Sequence, residues 1–225
     1  MSLIRHRKKL SVLFADFERW IHLREHPDRG ERLSDCAWAL RGFHRPIGED
    51  PEALARLLAI EVQLRTRPGP GAHGATDRIL EILFLIAEDW RDDRDEEAPA
   101  PGARADLPPP ETLALLCQHA RDLLGWVAFP RDPMAGRRRA IAWEILREAA
   151  PRGDSLGLLP LAVRAVGRAG VEEAVTALDF VLTWSGLASL DHPLDLDAAV
   201  ERLRRKAMRP SLQRRLEYLV GDDPR

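Results

Sequence analysis

Amphipathic helical patterns follow one another along this chain, and proline, glycine and aspartate separate them. In the first pattern, apolar side chains recur at helical spacing from Leu10 to Ile21, and Pro27 then ends the helix because proline cannot continue it. The alternation of apolar and polar residues that is typical of strands is missing. The sequence therefore predicts an all-α fold, with about ten helices that form antiparallel pairs.

Capping residues and prolines mark the expected helix boundaries. Asp50–Pro51 combines a cap with a proline at the first helical position, and Asp28 and Asp195 precede two other helices. Asp154 or Ser155 is expected to cap a further helix directly after it. The expected helices begin near residues 3, 31, 51, 77, 111, 133, 156, 171, 196 and 210.

One segment interrupts the helical pattern. Acidic residues from Glu88 to Glu97 lead into prolines that continue to Pro110. A segment of this composition is expected to be extended or disordered, because prolines cannot continue a helix and like charges repel one another. The sequence therefore predicts a helical block at residues 1–90, an acidic, proline-rich linker at 91–110 and a second helical block at 111–225.

The recurrence of helix pairs resembles that of HEAT and armadillo repeats. After the first pair, the expected pairs begin near residues 51, 110, 155 and 195, a spacing of ~45 residues or less outside the break. Leu158–Gly167, which has a proline early in its helix, is followed after a tight turn by Val171–Val175, and together they look like one HEAT unit. The resemblance implies a short HEAT-like α-solenoid, and an irregular helical bundle is the alternative.

The overall charge excludes partners that need a strongly basic protein. The formal net charge is −2 at pH 7, so the molecule as a whole is not suited to nucleic acid or to an anionic membrane. The apolar run after Leu10 is cut short by Asp16, too early for a signal peptide. The nearly uncharged stretch Ala174–Leu190 contains Asp179 and is too short for a membrane span.

Cysteine and lysine usage indicates the cellular compartment and the type of source organism. Cys36 and Cys117 lie on apolar helical patterns, as expected for buried thiols in a reducing cytosol. The basic residues are nearly all arginine, as is typical of bacteria with GC-rich genomes, and the only lysines are Lys8, Lys9 and Lys206. We therefore expect a cytoplasmic bacterial protein.

One motif has the spacing of metal ligands. His22, Glu25 and His26 match the inverted zinc-peptidase pattern. Arg24 places a positive charge inside the motif, and Pro27 follows it directly, so the match is interpreted as chance. A glycine-rich phosphate loop and a nucleophile with an evident histidine partner are both missing. The sequence predicts no metal, no cofactor and no enzymatic activity.

Asp179 is a single acid in an apolar helix and needs a partner. Arg164 or Arg168 on the preceding helix is the expected partner, which makes Asp179 a structural buried acid. In a second interpretation, Asp179 lies near Trp184 in a groove. That arrangement is similar to the HEAT-like alkylpurine DNA glycosylases, and the resemblance implies a DNA-repair glycosylase as an enzymatic alternative.

Two tryptophans and two basic clusters are candidate partner-binding residues. Tryptophan is enriched at interface hot spots, and Trp90 and Trp126 lie at the break and at a helix end. Arginines at the start of a helix are unfavourable to its dipole, which favours a functional reason for the first cluster. The predicted partner-binding residues are Trp90, Trp126, Arg137, Arg138, Arg139, Arg202, Arg205, Lys206, Arg209 and Arg215.

These features predict a non-enzymatic adaptor or scaffold that binds another protein, of unknown identity, through a solenoid surface. The expected surface is formed by the inner helices of the C-terminal pairs and the basic clusters. One alternative is a HEAT-like protein that binds nucleic acid through the basic clusters, with or without glycosylase activity. Another is an immunity or inhibitor protein that masks a toxin, with the acidic break as a mimic of nucleic acid.

Overall fold

The chain is described by a computed structural model, in which every regular element of the described residues is an α-helix. The described residues are 3–66, 69, 71–95, 109–125, 134–185, 195–206 and 208–221. Eleven helices form within them, so the prediction of an all-α fold is confirmed. None of these helices is both long enough and apolar enough to cross a lipid bilayer.

The helices fall into two compact units, a first unit at Met1–His119 and a second unit at Ala120–Arg225. The helices of the first unit are α1 (Leu3–His22), α2 (Arg29–Arg41), α3 (His44–Gly48), α4 (Pro51–Thr66) and α5 (Ala72–Asp95). The division falls inside α6 (Pro110–Gly125). The helices of the second unit are α7 (Ala135–Ala149), α8 (Arg152–Arg168), α9 (Val171–Ser185), α10 (Leu196–Arg204) and α11 (Pro210–Leu219).

In the first unit, α2 packs against α1 and α5, and α4 packs against α1 and α5. Phe14 and Phe17 of α1 are fully buried, as the apolar stripe of that helix predicts. The five-residue helix α3 was not predicted, because it is too short to show a helical period. Its Ile47 and Gly48 are buried, and a Cβ on Gly48 would lie 3.0 Å from Ile86 of α5, so packing holds this turn in place.

In the second unit, α9 is the central helix. It packs against α7, α8, α10 and α11. Every residue from Ala174 to Phe180 is buried, and a helix covered on all sides must be apolar all round. The nearly uncharged stretch of the sequence therefore forms the core of this unit.

The predicted caps are only partly present. Asp50 Oδ1 accepts hydrogen bonds from the backbone N of Glu52 and of Ala53, and Asp195 accepts one from the backbone N of Ala198 at 2.9 Å. Asp28 precedes α2 but makes no side-chain cap bond.

The predicted start of α8 was wrong. This helix begins at Arg152, with Pro151 in the cap position, so Asp154 lies in its first turn. There the Asp154 carboxylate pairs with Arg121 of α6. Ser155 is buried, and its hydroxyl donates to the carbonyl of Pro151. Neither residue caps the helix. Pro151, whose φ is fixed by its ring, already occupies the cap position and sets the start of α8.

The predicted break begins later than the acidic residues suggested. The expectation of an extended chain from Glu88 was wrong for 88–95, because α5 continues to Asp95. Acids are tolerated in a helix, whereas the prolines that end one begin only at Pro99. Residues 96–108 of the predicted linker lie outside the described part of the chain, and for them the linker stays a prediction.

Candidate functional site

Asp179 lies on α9 and is only 6% exposed. Its Oδ2 accepts a hydrogen bond from Arg215 Nη2 of α11 at 2.6 Å and another from Arg147 Nη1 of α7. The expectation that Arg164 or Arg168 of α8 pairs with Asp179 was wrong, and both of these arginines are exposed. The partners of Asp179 thus lie on α7 and α11, and both helices pack against α9.

Two further acids complete this buried cluster. Arg215 also donates to Glu144, and Arg147 also donates to Glu148. Burial alone would lower the pKa of Arg215, but Glu144 and Asp179 outweigh that effect and raise it. Each guanidinium therefore bridges two carboxylates, and the cluster joins α7, α9 and α11.

Aromatic rings pack on the same three-helix region. Trp143 is 1% exposed, and its ring lies 5.1 Å from that of Phe180. The Phe180 ring lies 6.5 Å from the ring of Trp184, which is half-buried. These contacts make Trp143 and Trp184 part of the core of the second unit.

The first basic cluster, at the start of α7, faces acids of α9. Arg137 Nη1 donates to Glu172 at 2.9 Å, and Arg139 Nε donates to Glu173 at 2.7 Å. Arg138 is buried. The arginines are unfavourable to the dipole of α7, but two glutamates in the first turn of α9 compensate their charge. Contacts within the unit thus account for this cluster.

The second basic cluster contacts the end of α8 and the start of α9. Arg202 Nη2 donates to the carbonyl of Val166 at 2.8 Å, and Lys206 Nζ lies 3.5 Å from the carbonyl of Ala169. Val166 lies in the last turn of α8 and Ala169 directly follows the helix, so the helix itself offers no donor to either carbonyl. Arg209 pairs with Glu172 at 2.9 Å, and Arg205 is exposed.

The two predicted tryptophan anchors are not placed by the structure. Trp126 lies outside the described residues, and the side chain of Trp90 is not described. Together with the basic clusters, their role in partner binding stays a prediction.

The first unit carries an exposed tryptophan that was not predicted as an anchor. Trp38 of α2 is 58% exposed. The guanidinium carbon of Arg78 lies 4.8 Å from the centre of its ring, and that of Arg41 lies 5.6 Å from it. Both distances fall within cation–π range. An exposed indole flanked by two arginines therefore lies on the outer face of α2 and α5.

One carboxylate holds both arginines in place. Glu81 of α5 accepts from Arg41 Nε at 2.9 Å and from Arg78 Nη1 at 2.9 Å. Burial alone would raise the pKa of Glu81, but the two arginines outweigh it, and the pKa lies below its usual value. The guanidiniums are thus fixed beside the ring of Trp38 while the ring stays open to solvent.

The sequence did contain a signal for Trp38. Leu33, Cys36, Ala37 and Leu40 repeat at helical spacing and are buried. Trp38 falls outside that stripe, so the helical period by itself places it on the opposite, exposed face. Trp38 was not chosen as an anchor because the anchors were selected by their place at the break and at a helix end.

The first unit also carries an apolar groove. It has a volume of about 600 Å³ and lies between α1 and the end of α2. Val12 of α1, which lines it, is 64% exposed. We call it the α1–α2 groove. The residues that line it are Lys8, Lys9, Val12, Leu13, Ala39 and Phe43.

A buried polar cluster also occurs in the first unit. Glu61 of α4 is fully buried and accepts a hydrogen bond from Arg65 Nε at 3.2 Å. His119 Nε2 of α6 lies 3.3 Å from the same Glu61 oxygen. The three side chains join α4 to α6. We interpret this cluster as structural, because an (i, i+4) ion pair extended by an imidazole stabilises the contact between the two helices.

The histidine motif of the sequence does not form a metal site. His22 is the last residue of α1, and His26 lies in the following turn, where its ring contacts Trp20 and Asp28. Among the residues described, no three histidines, cysteines or acids are placed to hold a metal ion.

No protein-family model matches the chain, and it is similar to no curated protein and no solved structure. The HEAT-like resemblance therefore rests on the helix pairs alone, and any function has to be argued from the geometry.

Proposed function

We propose that this chain is a non-enzymatic protein-binding adaptor and that the first unit carries its main binding surface. The observation that carries the proposal is Trp38, an indole 58% exposed between the guanidiniums of Arg41 and Arg78. Tryptophan and arginine are the residue types most enriched at the energetic centre of protein interfaces. Because Glu81 already fixes both arginines, binding costs little further side-chain ordering.

The contacts of the second unit support placing this surface on the first. Arg137, Arg139 and Arg209 all face glutamates of α9, so little of their charge is directed at a partner. The same contacts reduce the support for binding nucleic acid through these clusters, since phosphate binding needs uncompensated positive charge. Arg202, Arg205 and Arg209 of the predicted set are exposed. Arg202 and Arg209 contact the Val166 carbonyl and Glu172, so among the described residues Arg205 is the most suited to an outside partner.

A HEAT-like arrangement of helix pairs is part of the proposal. Helices α8 and α9 pack against one another, and only Ala169 and Gly170 separate them. Pro160 lies in the middle of α8, so the expectation of a proline early in this helix was wrong. An experimental structure in which α8 and α9 cross at a wide angle, without the side-by-side packing of a repeat pair, would contradict this part.

The setting we propose is the cytoplasm of a bacterium. Cys36 and Cys117 are both buried, and neither forms a disulfide, which suits a reducing compartment. The arginine-rich, lysine-poor composition supports a bacterial source. Fractionation of the source organism, followed by detection of the chain with an antibody, tests the location.

The central test replaces Trp38 by alanine. The wild-type chain and the variant are affinity-tagged and purified from the native host, and co-purifying proteins are quantified by mass spectrometry. We expect Trp38→Ala to remove a stoichiometric partner and to weaken its measured Kd by about tenfold or more, as for a hot-spot aromatic. Circular dichroism should be unchanged, because the ring is largely outside the core.

Tyr218→Ala is the matched control. Tyr218 is 71% exposed, but it lies on α11 in the second unit. The partner should therefore be retained by this variant at the wild-type level. A partner that binds Trp38→Ala as tightly as the wild type contradicts the proposed surface.

A further inference from the structure

The α1–α2 groove is open along one side of α1. Four residues of α1 line one wall of the groove. They form two pairs one helical turn apart, Lys8 with Val12 and Lys9 with Leu13, and so share one face of the helix. Ala39 and Phe43 line the opposite wall, from the last turn of α2 to the start of α3. Each wall is about 6–8 Å long at the helical rise per residue, enough for one to two turns of a partner helix laid between them.

The chemistry of the lining favours a peptide helix over a small molecule. Pockets for small molecules usually combine an apolar surface with a few fixed polar groups that orient the ligand. Here the apolar lining comes from Val12, Leu13, Ala39 and Phe43, and the only polar atoms are on two long, exposed lysine side chains. A partner helix that inserts a row of aliphatic side chains needs no such polar groups to orient it, so this lining fits a peptide helix better than a small molecule.

Two lysines at the edge of the groove have no acidic partner among the described residues. No acid pairs with Lys8 or with Lys9 among the described residues, whereas Arg137, Arg139, Arg209 and others are held by glutamates. Two of the three lysines of the chain thus stand side by side at one end of an apolar groove. Acidic groups on an occupant would complement them.

We propose that the α1–α2 groove binds one amphipathic helix of a protein partner. Leucine-like side chains of that helix fill the groove, and its acidic side chains at one end meet Lys8 and Lys9. This inference rests on the proposed protein-binding function and adds the chemistry of the partner. The stripe of apolar anchors on the partner follows the i, i+3, i+4, i+7 spacing of helix-in-groove recognition.

Two synthetic peptides test the proposal. Both are about 18 residues long, enough to form a helix, and carry the same leucine stripe. One has glutamate and the other has lysine at the positions beside the stripe. Fluorescence anisotropy with the wild-type chain should show the glutamate peptide binding at least about tenfold more tightly in low salt. The preference should shrink at about 0.5 M salt, since salt screens exposed charges.

Three variants assign the binding to the groove. Val12→Asp should weaken the glutamate peptide by about tenfold or more, because it places a charge among the apolar anchors. Lys8→Glu combined with Lys9→Glu should reverse the preference between the two peptides. Val62→Asp is the matched control, since Val62 is 37% exposed on α4 and does not line the groove, and it should bind like the wild type.

Several results would overturn the inference. Equal affinity for the two peptides would contradict the role of Lys8 and Lys9. Wild-type affinity of Val12→Asp for the glutamate peptide would contradict binding in the groove. Vesicles of phosphatidylglycerol that bind the wild type but not Val12→Asp, while neither peptide binds, identify a lipid surface as the occupant and overturn it as well.

The native partner separates this inference from the proposed function. A partner that is lost with Trp38→Ala but retained by Val12→Asp supports the proposed function and overturns the role of the groove. A partner that is retained by Trp38→Ala contradicts the proposed surface, and the peptide results then decide the groove independently.

Discussion

At the scale of single residues, two glycines make a close backbone contact in the first unit. Gly71 has a φ of +75°, a conformation that residues with a side chain rarely adopt. A Cβ built on Gly71 would lie 2.2 Å from the Cα of Gly30, at the start of α2. The turn between α4 and α5 thus meets α2 at a distance that leaves no room for a methyl group.

Gly71→Ala should therefore destabilise the protein by about 1–3 kcal/mol, from backbone strain and the clash with Gly30. Urea denaturation followed by circular dichroism measures the change. Gly157→Ala is the control, since Gly157 lies in α8 and an added Cβ would meet nothing within 4 Å. It should stabilise the protein by up to about 1 kcal/mol, the difference in helix propensity. A stable Gly71→Ala would show that the turn relaxes.

The thiol of Cys36 leads to a prediction about pH. Burial, and then the nearby carboxylate of Asp16, raise the pKa of Cys36 to about 12. In the unfolded chain the same thiol ionises near its ordinary pKa of 9.0. Because the folded pKa is the higher one, its contribution to stability is complete below pH 9 and is lost as the pH rises towards 12.

We therefore expect slow alkylation of Cys36 by iodoacetamide at pH 8 in the native protein and fast alkylation in guanidinium chloride. Mass spectrometry of tryptic peptides identifies the labelled thiol. Cys36→Ala should also flatten the loss of stability as the pH rises from 9 towards 12. Rapid labelling of native Cys36 would show that the site opens readily.

At the scale of elements, the contacts of α9 decide the structure of the second unit. Asp179 accepts hydrogen bonds from α7 and α11, and Glu172 of the same helix pairs with Arg137 and Arg209. Ion pairs thus fasten α9 to helices on both sides of it in the chain. The apolar packing of α9 supplies the core, and the ion pairs fix which faces meet.

Replacing Asp179 tests this role. Asp179→Asn should destabilise the protein by about 1–3 kcal/mol, since two partly buried guanidiniums lose a charged acceptor. The cost stays below that of isolating a buried charge, because Arg147 keeps Glu148 and Arg215 keeps Glu144. Thermal unfolding measures the effect.

Glu201→Gln is the control for that substitution. Glu201 is exposed on α10, and its ion pair among the described residues is the surface pair with Arg204, so its loss should change stability by about 0.5 kcal/mol or less. An unchanged stability in Asp179→Asn would contradict the structural role of the buried cluster.

At the scale of the whole molecule, local signals predicted the helices well and the contacts poorly. The starts of α9, α10 and α11 at Val171, Leu196 and Pro210 agree with the sequence, because caps and prolines act on their own neighbours. The partners of Asp179 did not follow from the sequence, since they depend on how α7 and α11 pack on α9.

The candidate surface follows the same rule. The period of α2 placed Trp38 on the exposed face, but its two flanking arginines come from α2 and α5 and required the fold. Charge clusters are still harder to interpret from sequence. Arg137 and Arg139 look like a binding patch until Glu172 and Glu173 are placed opposite them.

The central position of α9 has a consequence for how the second unit folds. Each helix that packs on α9 lies within two helices of it along the chain. Contacts between such near neighbours close only short loops, so little chain entropy is lost before the core begins to form. Helical domains of this low contact order fold in microseconds to milliseconds, and the second unit should assemble quickly, around α9, as soon as α11 has left the ribosome.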